Sequence, residues 1–428
     1  MVNSWCPPGT HGPFSSGPTG LRRGWRATSV PLTRPPPRDA SWKSTWRHGA
    51  PGHWDRRTPP CGWPTLAFSH GFCRDWPLRR RMRILVVGGT SYVASFFIEE
   101  CLQRGWTVYA VSHNSVRQRI LSVRNGNVRS VASLAEAGSI GSVDAIVNFA
   151  YPSDLNAAKV HAATRRLIGQ IVGAARRLSP KILVHISTQS VFGYTFARNP
   201  RPVPVWWATG DGYIETKVLA EALLLLKTRQ APYAKVILRL GNVIGPGSFW
   251  VSEVARLLLV EEPLGRGKSN ATYVRNVAEY LARLILVDDS TLRSFGVFHH
   301  LAEFSSHSWA DLAEPVATAM GLKPSYRSVA LRPERVGGKG LLRWAFRHLC
   351  MFLPDGWQDR VERLYTAARR RFPPPEVGGN EAGLHPTLHQ TVEFASHTLP
   401  GWSPRFDLRA ALEEITAWAR RAGYVSAA

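Results

Sequence analysis

Arg83-Ile84-Leu85-Val86-Val87-Gly88-Gly89-Thr90-Ser91-Tyr92-Val93-Ala94-Ser95 is the stretch that decides the fold. Its unbroken apolar run reads as a strand buried on both faces. Gly88-Gly89 then makes a tight turn, and Val93 to Gln103 reads as a helix stopped near Gly105. A helix N-terminus after such a turn presents unpaired backbone N–H groups and the positive end of a dipole, which favour an anion. A dinucleotide fingerprint asks for small residues at three places: where the chain turns, where the backbone meets the pyrophosphate, and where the helix packs on the sheet. Gly88, Ser91 and Ala94 occupy them. Ser91 departs from glycine, and its hydroxyl can donate to a phosphate instead. Gly88, Thr90, Ser91, Tyr92 and Val93 are therefore the candidate cofactor-binding residues of this corner. A glycine turn also serves purely structural ends; its place after the first strand of a βα unit is what gives it weight.

Outward from this corner, strands and helices alternate. Thr107 to Val111 reads as a second strand, Val128 to Val131 as a weaker one, and Asp144 to Phe149 as a clear one. A helix from Asn156 to Leu178 ends at Ser179-Pro180, Lys181 to Ser187 is a strand, Tyr213 to Arg229 a long helix, and Lys235 to Arg239 a strand ended by Gly241. This alternation implies an α/β fold, a Rossmann-type doubly wound parallel sheet with right-handed crossovers. Ligands bind such sheets outside the carboxyl ends of the strands. The second strand ends in Ser112-His113-Asn114 with Arg117 following, and carries no acid to grip an adenosine ribose. Ser112, His113 and Arg117 suit a 2′-phosphate, so both NAD and NADP stay open; a generic polar loop reads the same way.

Beyond residue 245 the rhythm changes. Ser252 to Leu259, Asn276 to Val287, Trp309 to Met320 and Leu408 to Arg420 read as helices, with a short strand at Gly296 to His300. Residues 82–245 are thus expected to form the cofactor domain and 246–428 a smaller α+β substrate lobe, with a helical insertion over 333–400. The basic, apolar stretches of that insertion read as a cover for the lobe rather than as a membrane-surface helix. Residues 1–81 are foreign to the rest. They hold 7 of the 16 Trp and 13 of the 31 Pro, with no sustained apolar period, and read as a disordered extension; Met82, just before the first strand, would serve equally well as a start.

The chain of 428 residues carries a net charge of +24. That charge invites a nucleic-acid reading. Thirteen Lys and Arg against three Asp lie in residues 1–81, leaving a body whose positive balance suits anionic substrates, so nucleic acid is not the expected partner. Sparse cysteines show neither a disulfide framework nor a metal spacing and fit a reducing, cytoplasmic setting. No secretory leader and no transmembrane run is apparent.

Tyr213 and Lys217 stand four apart on one helix face. A phenol with an ordinary pKa of about 10 is a poor base at neutral pH, and a neighbouring ammonium lowers it by stabilising the phenolate. Thr188, at the end of the Lys181 strand and followed by Gln189-Ser190-Val191-Phe192-Gly193, is placed to hold a substrate hydroxyl. A Tyr/Lys pair by itself is often no more than a solvated helix face.

In order, the segments Thr188 to Gly193, Tyr213-x-x-x-Lys217, Asn148-Phe149-Ala150, Leu238 to Gly247, Thr272 to Ala278 and Gly401 to Phe406 resemble the extended short-chain dehydrogenase/reductase family, the NAD-dependent epimerase/dehydratase group. The similarity covers residues 82–325 and 400–424. The resemblance implies that Tyr213 is the acid/base on a sugar hydroxyl, that Lys217 lowers its pKa and holds the nicotinamide ribose, and that Thr188 positions the hydroxyl. It implies substrate contacts from Thr188, Ser190 and Asn242, cofactor contacts from Phe149, Ala150, Tyr213 and Lys217, no metal, and a nucleotide-sugar substrate; a homodimer is compatible with it. Val160 stands where the family often has an asparagine. Gln189-Ser190 stands where dehydratases carry Asp-Glu, which disfavours dehydration. The family's diphosphate arginine falls at Ala271, with Arg266, Lys268 or Arg275 as substitutes. Three readings follow: an NAD(P)-dependent epimerase of a nucleotide-activated sugar, an NADP-dependent reductase of a ketosugar or related carbonyl, and a catalytically silent binding member of the fold, which the intact Thr188, Tyr213 and Lys217 oppose.

Overall fold

The structure, a computed structural model, describes residues 81–112, 126–152, 157–193, 211–328 and 386–422, with single positions between 341 and 367. The expected N-terminal extension up to residue 80, together with His113 and Arg117, lies outside the described residues.

Seven parallel strands form the main sheet. In chain order they are β1 (Arg83–Val87), β2 (Thr107–Val111), β3 (Val128–Val131), β4 (Ala145–Asn148), β5 (Ile182–Thr188), β6 (Ala234–Leu240) and β10 (Phe298–Leu301). Their order across the sheet is β10-β6-β5-β4-β1-β2-β3. The order reverses between β1 and β4, so a crevice opens at their carboxyl ends, and this is the doubly wound sheet expected from the sequence. One face is covered by α1 (Tyr92–Gln103) and α5 (Val274–Leu286), the other by α2 (Ala157–Leu178) and α3 (Gly212–Lys227). The alternating strand residues explain both layers: Ile84, Val86, Val184 and Leu238 enter the first, Leu85, Val87, Leu183 and Ile237 the second. A strand covered on both faces buries every side chain, which is why its sequence reads as a continuous apolar run.

A third core belongs to the smaller lobe. It gathers α4 (Phe249–Leu259), α7 (Trp309–Ala319), α8 (Leu408–Arg421) and the paired short strands β7 (Asn242–Ile244) and β9 (Ala271–Tyr273) around Trp309, Tyr273 and Leu257. The lobe also carries a two-stranded pair, β8 (Leu264–Gly265) with β11 (Tyr326–Arg327). A short helix, α6 (Asp289–Phe295), precedes β10.

Two expectations need correction. The strand expected within the lobe near Gly296 to His300 runs instead from Phe298 to Leu301 and pairs in parallel with β6, closing the main sheet. Without it, β6 would be an edge of unpaired N–H and C=O groups. The expected helical insertion is not helical at its end: residues 390–399 run as extended chain against the lobe, with the Phe394 N–H donating to Asn270 Oδ1 and His397 bridging His300 by backbone bonds in both directions.

Candidate active site

β5 delivers Thr188 to the carboxyl edge of the sheet, and α3 begins beside it. Asp211 caps α3, accepting hydrogen bonds from the Tyr213 and Ile214 N–H groups at 2.7 and 3.4 Å. That cap fixes the first turn and brings Tyr213 over Thr188, whose side chain hydrogen-bonds the Tyr213 hydroxyl. Thr188 also accepts from the Ser190 N–H and faces the Ser190 hydroxyl at 3.1 Å. One turn along, Lys217 donates to the Ile186 carbonyl at 3.2 Å and lies 5.9 Å from the centre of the Tyr213 ring. Thr188, Ser190, Tyr213 and Lys217 are thus brought together.

Electrostatically the site is held in tension. Burial pushes the Tyr213 phenol up to about 12 against the pull of Thr188, with the Asp211 carboxylate adding to the rise. Burial draws the Lys217 ammonium down to about 8, opposed by the nearby Glu221 carboxylate. Glu221 is anchored in turn: Arg239 of β6 grips it with two hydrogen bonds of 3.0 and 2.6 Å, and the Ser187 hydroxyl donates to it at 2.5 Å. The Arg239–Glu221 pair is almost wholly buried, at 5% and 7% side-chain exposure, so the fold of this edge depends on both partners being present.

The candidate cofactor corner lies at the β1–β4 crevice. Gly88 has φ +79°, and a Cβ there would come within 2.7 Å of the Ala150 N–H. Gly88 and Gly89 both donate to the Val111 carbonyl. Ser91 stands at the N-cap of α1 with its hydroxyl buried and without a partner. Thr90 and Ser112 join hydroxyls at 2.6 Å, linking the turn to the end of β2. A close-approach glycine, a free buried hydroxyl and a helix N-terminus suit a dinucleotide diphosphate. Phe149 packs on Phe97, and its N–H donates to Val87, while the Ala150 N–H donates to Asn148 Oδ1. Tyr92 packs against the lobe core with its hydroxyl under Gly245, and Val93 packs against both that core and the sheet core beside α1.

Asn242 sits on β7 with its amide N–H donating to the Ser269 carbonyl at 2.5 Å. Arg275 is held by Glu414 and Glu99, and Lys268 by Glu393 and the Ser306 carbonyl. Val160 is buried, and its carbonyl accepts from the Thr164 hydroxyl.

Two features of the site were missed in the sequence. Tyr151 stacks edge-on against Tyr213 at 5.3 Å and places its ring 5.2 Å from Lys217 Nζ. His185, in the middle of β5, is buried and accepts at Nδ1 from the Asn148 amide at 2.8 Å, which leaves its Nε2–H facing an internal cavity lined by Tyr151, Thr164, Thr216 and Lys217. Burial keeps this imidazole neutral, lowering it to about 3. A polar residue inside an otherwise apolar strand was the available signal for His185; Tyr151 was signalled only by following Asn148-Phe149-Ala150 at a strand's carboxyl end.

Residues 84–289 match the family described as the NAD dependent epimerase/dehydratase family. The enzyme WbmG of Bordetella bronchiseptica, solved with NAD, superposes with a TM-score of 0.56 at 16% identity, over 82% of this chain and 97% of that one. A mutant UDP-glucuronic acid 4-epimerase of Bacillus cereus, solved with NAD and a fluorinated UDP-glucuronic acid, superposes with a TM-score of 0.53 at 15% identity, over 80% and 100%. The UDP-glucose-4-epimerase of Stenotrophomonas maltophila, solved with NAD and formylated UDP-arabinopyranose, gives 0.50 at 20% identity, over 80% and 99%. At such identities the likeness is one of fold. No curated protein matches the sequence.

Proposed function

We propose that this protein, whose residues 84–289 match the NAD dependent epimerase/dehydratase family, is an NAD-dependent epimerase of a nucleotide-activated sugar. The observation that carries the reading is the gathering of Thr188, Tyr213 and Lys217 at the carboxyl edge of the sheet that also bears the glycine corner. The NAD in the three solved relatives and the sugar nucleotides in two of them support it, and sparse cysteine use fits a cytoplasmic setting.

Each residue has a role in this chemistry. The Thr188 hydroxyl holds the sugar hydroxyl that reacts. Tyr213 Oη takes its proton and later returns it. Lys217 holds the ribose of the cofactor and stabilises the phenolate. Gly88, Thr90 and Ser91 cradle the diphosphate, and Phe149 and Ala150 line the crevice at the end of β4. When bound, the nicotinamide supplies a hydride acceptor and a positive charge. Burial pushes the Tyr213 phenol up to about 12, and positive charge beside the phenolate, from Lys217 and from the bound cofactor, favours the ionised form. Lys217 stays charged for this purpose, since its pKa of about 8 lies above neutrality.

The experiment is direct. Purified protein is examined by mass spectrometry for retained NAD, then incubated with a panel of UDP-sugars while NMR follows inversion at a ring carbon. Tyr213→Phe is expected to lower kcat by about three orders of magnitude with little change in KM, as befits a group acting on the transferring proton. Full activity in that variant would sink the mechanism. A second reading, an NADP-dependent reductase of a ketosugar, is favoured by one observation: β2 ends in the Thr90–Ser112 hydroxyl pair and not in an acid. Tighter binding of NADPH than of NADH would select it, and no binding of either would select a catalytically silent member of the fold.

A further inference from the structure

We propose that the segment from Leu341 to Leu364 is a docking surface for an anionic lipid bilayer, on which the protein lies as a peripheral guest. Five of the nine large apolar residues that are exposed among the described residues fall in this one segment: Leu341 (55%), Leu349 (64%), Phe352 (67%), Trp357 (56%) and Leu364 (70%). Singly scattered apolar residues on a surface need no explanation; a cluster marks an interface. The described positions 341, 345, 348 and 349 are helical. Leu341, Ala345 and Leu349 share one face at i, i+4, i+8 and all three are exposed, while His348 turns the other way and packs edge-on against His161 of α2 at 5.0 Å. Arg165 of α2 lies over the Phe352 ring at 5.2 Å. His348 and Phe352 thus seat on α2, while Leu341, Ala345, Leu349, Trp357 and Leu364 are exposed.

Charge identifies the occupant. Between residues 341 and 371 the sequence has seven Arg and three Asp or Glu. Arg360 and Arg363 are exposed among the exposed apolar side chains, and Arg360 lies over the Trp357 ring at 5.6 Å. Leu, Phe and Trp interleaved with arginines, whose apolar stems lie along the surface while their heads reach upward, match the boundary between acyl chains and anionic headgroups. No helix among the described residues is long and apolar enough to cross a membrane, so the contact is with one leaflet. This inference does not rest on the proposed epimerase activity, because Thr188, Tyr213 and Lys217 carry no part of its argument.

The test uses the full chain and sedimentation with vesicles of phosphatidylcholine, alone or with about 30 mol % phosphatidylserine. The wild type is expected to sediment at least about tenfold more strongly with the anionic vesicles. Leu349→Asp/Trp357→Asp/Leu364→Asp is expected to lose that binding about tenfold or more, and Arg360→Gln/Arg363→Gln to weaken it and leave the remaining binding less sensitive to salt. All five side chains are exposed, so an unchanged circular dichroism spectrum and Tm are expected and separate lost binding from lost fold. Three results would overturn the proposal: no sedimentation of the wild type, sedimentation of the triple aspartate variant equal to wild type, or a wild-type oligomer that the triple variant converts to monomer while neither binds vesicles, which would make the patch a contact between copies.

Discussion

At the scale of the residue, the site sets chemistry against stability. Lys217 has its ammonium drawn from an ordinary 10.5 down to about 8 by burial. The unfolded chain binds the proton more tightly than the folded one, so stability rises with pH between these two values and is at its lowest below the folded one. The gap corresponds to about 3 kcal/mol. Lys217→Met is therefore expected to raise Tm near neutral pH and to flatten the rise of stability toward alkaline pH, measured by thermal unfolding across a pH series, while abolishing turnover. Gly88 is constrained in the opposite sense. Its positive φ and the 2.7 Å approach of Ala150 leave no place for a methyl group. Gly88→Ala is expected to weaken NAD binding at least about tenfold by calorimetry and to lower stability by a few kcal/mol, because β1 and β4 must part to admit it. Gly88 and the trio of Thr188, Tyr213 and Lys217 were legible in the sequence because each answers a local demand: a turn, a strand end, one turn of helix. His185 and Tyr151 were not, because their neighbours come from other strands and helices.

At the scale of the element, two stretches that look unrelated in the sequence hold each other. Asn276 of α5 accepts at Oδ1 from the Phe406 N–H and donates to the Phe406 carbonyl, and Trp402 donates to Glu279 at 2.6 Å while stacking on Tyr280 at 5.0 Å. The Thr272 to Ala278 and Gly401 to Phe406 segments thus form one joint, pinned further by Glu303, which accepts from Thr272, the Tyr273 N–H and Asn276. Trp402→Ala is expected to cost about 2 kcal/mol, less than a fully buried tryptophan, read as a fall in the denaturation midpoint with an unchanged slope. The elements themselves were readable from periodicity and caps: β1, β2, β3 and the start of α7 fall where the sequence places them, as do the last residues of α1, α2 and α4, and several other ends move by a residue or a few.

At the scale of the whole molecule, sequence order and spatial order part company. Residues 82–245 read as a self-sufficient cofactor domain, yet α5 contributes Val277, Leu281, Leu284 and Ile285 to the core on one face of its sheet, and β10 pairs with β6. A chain ending at Gly245 is expected to be insoluble or molten, with an exposed sheet face and an open β6 edge, whereas one running from Met82 to the C-terminus is expected to fold and bind NAD; cooperative unfolding of the shorter chain would refute this.

The sequence by itself determined the class of the fold, the glycine corner and the placing of Thr188 at a strand end and of Tyr213 and Lys217 on one helix face. These rest on local rules: an apolar run with a glycine turn makes a buried strand and a helix entry, and four residues make one helix turn. Only the tertiary structure decided that Phe298–Leu301 completes the main sheet, that His185 lines an internal cavity beside Lys217, that Arg239 holds Glu221 beneath it, and that Leu341, Leu349, Phe352, Trp357 and Leu364 are exposed. Each of these depends on contacts between residues far apart in the chain, and a contact at long range leaves no period or spacing in the sequence from which it can be read.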